Sequence, residues 1–299
     1  MKILCIGQSA YDITLPCSEY PEENRKYKIK EVINSSGGSA NNAAYLLGLW
    51  HSDVTLISPV GNDNYGKEII NEQKNIGVNT DFMEVLNVPT TKSYIINNLA
   101  NGSRTIITNR NPLMYLSSNI DNVPSDFDYI LTDGNDYEFT KEVIKKNSNA
   151  KVIIDAGRIN DETIELCKLS DYIVCSNDFA KGYTNINFSY DNIEDIKKSY
   201  DILDKDFKGH IVITLESYGS FTKIDSEYYL VPSIKVETVD TTGAGDIYHG
   251  AFTYFISHNY HLLDTMKLSN IAGALSVSKI GSKNSIPKLL EVLNTNGLQ

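Results

Sequence analysis

The chain has 299 residues, 41% of them hydrophobic, enough to bury a substantial core as one large α/β domain or two smaller ones. A formal charge of −11 and a pI near 4.9 argue against nucleic acid or an anionic membrane surface as the main partner. Cys5, Cys17, Cys167 and Cys175 form no C-x-x-C pair or zinc spacing, no run reaches the ~18 apolar residues of a membrane span, and the opening M-K-I-L-C-I-G is too short for a signal peptide, so a cytoplasmic small-molecule enzyme or binding protein is expected.

Short apolar runs alternate with helical patterns, the signature of βα units around a largely parallel sheet. K-I-L-C-I-G (2–7) reads as the first strand, with Asp12 at its end. Residues 13–36 follow, polar, charged and without helical period. An amphipathic segment then runs to Trp50, V-T-L-I-S-P-V (54–60) reads as a strand, and the next helix stops at Ile76-Gly77. Residues 91–108 read as two strands around Asn101-Gly102. Together with 13–36 they suggest a small antiparallel lid over a pocket at the sheet edge, although a surface hairpin or a contact in a homodimer would look the same.

Further strands are expected at D-Y-I-L-T-D (128–133), K-V-I-I-D (151–155), D-Y-I-V-C-S (171–176) and H-I-V-I-T-L (210–215), with a helix over Y-E-F-T-K-E-V-I-K-K. Residues 243–297 read as three closing helices. Nothing resembles a linker or a repeat, so residues 1–299 read as one unit.

The stretch D-T-T-G-A-G-D (240–246) carries the most specific chemistry. Gly243 and Gly245 allow successive amides to converge on one point, and the helix that starts there adds its positive dipole end. Such a hole suits a phosphoryl group in transit, because fixed N–H groups stabilise its equatorial charge without reorganising. Asp246, in the first helical turn, could accept the proton of an attacking hydroxyl. Helix capping and a tight turn would explain an isolated G-A-G equally well.

The complete run D-T-T-G-A-G-D-x-x-x-G-A-F resembles the carboxyl-terminal signature of the ribokinase-like (PfkB) carbohydrate kinases. G-G-S-A-N-N-A-A (37–44) resembles the family's first signature, and V-G-N-D (60–63), Tyr65-Gly66 and Ile76-Gly77-Val78 fall in register with it. The resemblance implies an α/β ribokinase-like three-layer α/β/α sandwich with a mostly parallel central sheet and a small β lid. It also implies Asp246 as catalytic base, Gly243, Ala244 and Gly245 as anion hole, and Asp12, Gly37, Gly38 and Asn42 as sugar-binding residues. The bare backbone at the two glycines would let a polar ring approach closely. Thr214, Gly219 and Asn270 inherit nucleotide contacts from T-L-E-S-Y-G (214–219) and S-N-I-A-G-A-L-S-V-S-K-I-G (269–281). Asp240 and Thr242, with carbonyls of the loop around 279–285, match a potassium or sodium site.

Three departures stand out. The family's N-x-x-E motif is here C-S-N-D-F-A-K, so the acid falls on Phe179 or Ala180 and only Asp178 remains nearby; magnesium would then rest mainly on nucleotide phosphates. Glu216 replaces the first glycine of T-x-G-x-x-G. His51 stands where a small residue is expected and reads as a helix-exit side chain. Asp133, Arg104 and Arg158 are weaker candidates for sugar or phosphate contacts. The expected activity is transfer of the terminal phosphoryl group of ATP, with Mg²⁺, to a hydroxymethyl group of a sugar. The alternatives are a nucleoside kinase of the same fold and a non-catalytic sugar sensor. A nicotinamide dehydrogenase lacks its G-x-G-x-x-G, and a P-loop enzyme lacks G-x-x-x-x-G-K-[ST].

Overall fold

Ile3 and Cys5 project to one side of the first strand and Leu4 and Ile6 to the other, and all four are buried. A strand apolar on both faces must be covered on both, which calls for helices above and below the sheet. The computed structural model describes residues 1–281 and 283–297. Its first half contains β1 (Lys2–Ile6), β2 (Ala10–Cys17), β3 (Ile33–Gly37), α1 (Ser39–Leu49), β4 (Asp53–Ile57), β5 (Pro59–Gly61), α2 (Asn64–Asn75), β6 (Glu84–Leu86), β7 (Lys92–Asn98), β8 (Ser103–Asn109) and β9 (Tyr129–Thr132). The second half contains α3 (Tyr137–Lys146), β10 (Lys151–Ala156), α4 (Asp161–Cys167), β11 (Tyr172–Ser176), α5 (Asn177–Thr184), α6 (Ile193–Asp206), β12 (His210–Thr214), β13 (Ser220–Ile224), β14 (Glu227–Val231), α7 (Ala244–Ser257), α8 (Leu262–Ser276) and α9 (Leu289–Gly297).

The central sheet has eight strands in the order β14-β13-β12-β11-β10-β9-β1-β4. Its pairs from β4 to β12 are parallel, and β13 and β14 continue it as antiparallel edge strands. On one face Ile3, Cys5, Leu56, Leu131, Val174 and Val212 pack with α1, α7 and α8. On the other, Ile154, Ile173 and Ile213 pack with α5 and α6, and Leu4, Ile6 and Ile130 with α3. The result is the three-layer α/β/α architecture.

The β13–β14 hairpin was not among the expected strands. Its turn is Asp225-Ser226, both at positive φ (47° and 72°), so the mirror-image hairpin turn is formed without the Asn-Gly that normally signals it. The run 54–60 divides into two strands, because β5 leaves the central sheet and pairs with β6.

The second sheet, in the order β3-β2-β7-β8, occupies the segments expected to form a lid. It is not wholly antiparallel: β2 and β7 run parallel, Tyr11 beside Lys92 through Cys17 beside Asn98, while β2–β3 and β7–β8 are antiparallel. Two segments far apart in sequence meet there, so local turn signals could not report their direction. Asn101-Gly102 closes a four-residue loop over 99–102, with Gly102 at φ 70° and its amide donating to the Asn98 carbonyl. Thr238 packs against Gly102, and the Arg104 guanidinium donates to the Thr241 hydroxyl, so the hairpin rests on the chain just before α7.

Candidate active site

Two helices bring their amino termini together at the carboxyl edge of the parallel sheet. Gly38 caps α1 at φ 95°, where a side chain would strike the backbone of Gln8 and Ser9. Gly243 caps α7 at φ 77°. The two helices pack closely because Gly250 has no side chain: a Cβ there would lie 3.1 Å from the Cα and carbonyl oxygen of Ala43. This approach places Asn42, on the first turn of α1, against Asp246, on the first turn of α7. Asn42 Nδ2 donates to Asp246 Oδ2 at 2.7 Å.

Burial raises the Asp246 pKa above the usual carboxylate range, with Asp133 adding to the rise. The bonds from Asn42 and Ser39 and the charge of His249 oppose it. A carboxylate held this way is a stronger base than a solvated one yet retains donors that stabilise its ionised form. Beside it Gly245 is exposed, and nothing lies within 4 Å of where its Cβ would be, while the Ala244 amide donates to the Thr241 carbonyl at 3.4 Å.

Asp12 faces the same region from the small sheet. It lies within β2, not at the end of β1, because the chain makes a turn at Gly7–Ser9 and re-enters a strand at Ala10. Its carboxyl is buried and pushed up to about 7, by burial first and then by Asp246; Lys283 and a bond from Ser93 oppose the shift. A Cβ on Gly37 would land on this carboxylate. The two glycines therefore make room for the protein's own parts, Gly37 for Asp12 and Gly38 for the 8–10 backbone, whereas the sequence suggested room for a sugar ring.

The pfkB family carbohydrate kinase model matches residues 1–289 of this chain. The chain belongs to that family. The Lactococcus lactis ribokinase is 27% identical over 97% of this chain and 95% of its own length. The crystal structure of the Thermotoga maritima ribokinase superposes with a TM-score of 0.81 at 24% identity, covering 99% of both chains. The structure of the Arabidopsis thaliana ribokinase complexed with ribose and ATP gives a TM-score of 0.81 at 21% identity over 98% of this chain and 97% of that one.

In this pfkB-family kinase the residues expected at the nucleotide gather where β12, β14 and α8 meet. Asn270 Nδ2 donates to the Val231 carbonyl at 2.9 Å, and a side chain on Gly219 (φ 112°) would strike that same carbonyl. The Thr214 hydroxyl bonds the Cys175 carbonyl at 3.3 Å. Glu216 adopts φ 52°, keeping the left-handed backbone that a glycine would take freely. Its carboxylate accepts from Asn177 Nδ2 at 3.4 Å. Phe179 and Ala180 are fully buried in the apolar core beneath α5, so neither alignment of the N-x-x-E motif leaves room for an acid there. Asp178 is exposed.

Asp240 ties its own turn to the segment after α8: its Oδ1 accepts from the Thr242 amide at 2.9 Å and its Oδ2 from the Gly281 amide at 3.0 Å. Of the 279–285 loop, Ser282 lies outside the described residues. The Thr242 hydroxyl is buried with no partner among the described residues. Among the described residues no helix is long and apolar enough to cross a membrane, and no three His, Cys, Asp or Glu side chains are grouped to hold a metal.

Asp133, a weaker sugar candidate, is already engaged by the Gln8 amide at 2.7 Å and by the Asn135 amide and side chain, so it braces the turn after β1. Arg158 is exposed. His51, at φ 60° after α1, is a helix-exit residue. The sequence concealed Lys283, which reads as one more solvated lysine. It is buried, its ammonium 3.4 Å from the Asn41 carbonyl and 4.4 Å from the centre of the Tyr45 ring. Burial draws its pKa down to about 8 against the fields of Glu72, Asp12 and Asp246.

Proposed function

We propose that this kinase transfers the terminal phosphoryl group of ATP to a hydroxymethyl group of a sugar held between the small sheet and α1. The observation that carries this reading is the carboxylate of Asp246 at the start of α7, bonded to Asn42 and adjoining the 243–245 amides beside the exposed Gly245. Asp246 takes the hydroxyl proton as the phosphoryl group passes, and the amides balance the charge on its equatorial oxygens. Asp12 and Asn42 orient the acceptor, with Gly37 and Gly38 allowing Asp12 and α1 to sit where they do. The small sheet acts as a lid that excludes water, and Arg104, resting on Thr241, brings a cation to its tip.

Thr214, Gly219 and Asn270 shape the nucleotide end. Magnesium enters mainly on the nucleotide phosphates, where it offsets their charge. The unpartnered Thr242 hydroxyl beside Asp240 fits a monovalent cation that would hold the 239–242 and 277–281 segments together.

The test is ADP release across a panel of sugars and nucleosides, with thermal shift on the same panel. Turnover of a free sugar is expected. Stabilisation and turnover by nucleosides alone would move the reading to a nucleoside kinase, and sugar binding without ADP release would move it to a sensor. Asp246→Asn is expected to lower kcat by roughly 10² or more with binding nearly unchanged.

A further inference from the structure

His249 lies one turn beyond Asp246 on α7 and is only 5% exposed. Its Nδ1 is 2.6 Å from the Gly245 carbonyl oxygen and 3.3 Å from Asp155 Oδ2, and its Nε2 is 3.1 Å from the Val174 carbonyl oxygen. All three neighbours are acceptors. A neutral imidazole carries one N–H, so either tautomer would turn a lone pair toward a backbone carbonyl, whereas an imidazolium donates from both nitrogens. Asp155, near the end of β10, provides the countercharge from the strand beside β11.

The other ionisable groups around the ring are few. Asp246 faces it from α7, Asp155 from β10, and Asp133, beyond β9, acts on both of these carboxylates. Tyr248 meets the ring edge-on with centroids 5.8 Å apart, and Cys175 follows Val174 on β11. Burial raises both of these groups and keeps them neutral. Burial pushes Asp155 up to about 7 and the charge of His249 draws it back, as it does for Asp246, so the imidazolium and these carboxylates stabilise one another.

We propose that His249 is a positioning residue for phosphoryl transfer, held as an imidazolium by Gly245, Val174 and Asp155, which favours the ionised form of Asp246 and fixes the carbonyl frame of the 243–245 loop. The inference rests on Asp246 as the base. The bond to Gly245 acts on the anion hole from behind, and the charge acts on the base through one helical turn.

The first test needs no turnover. In protein labelled with ¹⁵N-histidine, side-chain spectra at pH 7.5 are expected to show both His249 nitrogens protonated, with Asp155→Asn converting the ring to one neutral tautomer. A neutral His249 in the wild type would overturn the proposal. The second test is His249→Gln, which keeps a donor but not the charge. Here kcat is expected to fall about tenfold or more, with both KM values within about twofold and the acid limb of the kcat profile moved to higher pH. A lowered Tm with an unmoved acid limb would mean packing alone and would refute the role. If His249→Gln does not fold, His249→Asn, which also keeps a donor without the charge, supplies the same pH profile. Undiminished turnover in Asp246→Asn would remove the base assignment and this proposal with it; a neutral His249 in a protein whose Asp246→Asn variant is inactive would remove this proposal alone.

Discussion

Asn42 Nδ2 and Asp246 Oδ2 stand 2.7 Å apart although 204 residues separate them in the chain. The bond joins the first turns of two helices whose positive ends point at the same place, and it is charge-assisted, since its acceptor is a carboxylate. Removing the donor leaves a partly buried carboxylate less well compensated.

Asn42→Ala should therefore lower kcat by about ten- to a hundredfold, the range spanned by losing one hydrogen bond to a charged group. Because Asn42 favours the ionised form of Asp246, its loss raises that pKa further and moves the acid limb of the kcat profile upward. Steady-state kinetics from pH 5 to 9 would check both effects; an unchanged acid limb would argue that the bond is incidental.

Gly250 keeps α1 and α7 close enough for that bond, with the Ala43 backbone 3.1 Å from any added Cβ. Gly250→Leu is expected to cost about 1–3 kcal/mol of stability through overpacking. It should reduce kcat as well, by parting Asn42 from Asp246. Denaturant unfolding and kinetics on the same sample would reveal whether stability and kcat fall together.

Gly37→Ala places a methyl group on the Asp12 carboxylate. Asp12 must turn away, so the KM for the acceptor should rise about tenfold or more while the KM for ATP stays near its original value. An equal rise in both would show that the small sheet had shifted as a whole.

Stability should depend on pH in a direction set by Asp12 and Asp136, pushed up to about 7 and about 6, each mainly by burial. From the ordinary value of 3.8 up to those values the folded protein holds protons that the unfolded chain has lost. Stability must then fall as pH rises through that window and level off above it. Each pH unit over which one such carboxyl is protonated only in the native state amounts to about 1.4 kcal/mol. Tm of the ligand-free protein should be higher at pH 5 than at pH 7.5, and Asp12→Asn should flatten the profile. A Tm that climbs across this interval would contradict the burial of these carboxyls.

The amino-acid sequence by itself determined the alternation of strands and helices, because the period of apolar residues is a local property that each segment carries alone. It also determined the family, since D-T-T-G-A-G-D and G-G-S-A-N-N-A-A lie within single loops and helix starts. Ile76-Gly77 ended α2 as read, with Gly77 at φ 85°. Contacts between distant segments were a different matter. The parallel pairing of β2 with β7, the β13–β14 hairpin with its Asp-Ser turn, and the duty of Gly37 toward Asp12 depend on which backbones meet. Lys283 and His249 looked ordinary in the sequence, because a side chain's charge state follows from the solvent it loses and the partners it gains. Those were decided only when the helices and the small sheet packed together around them.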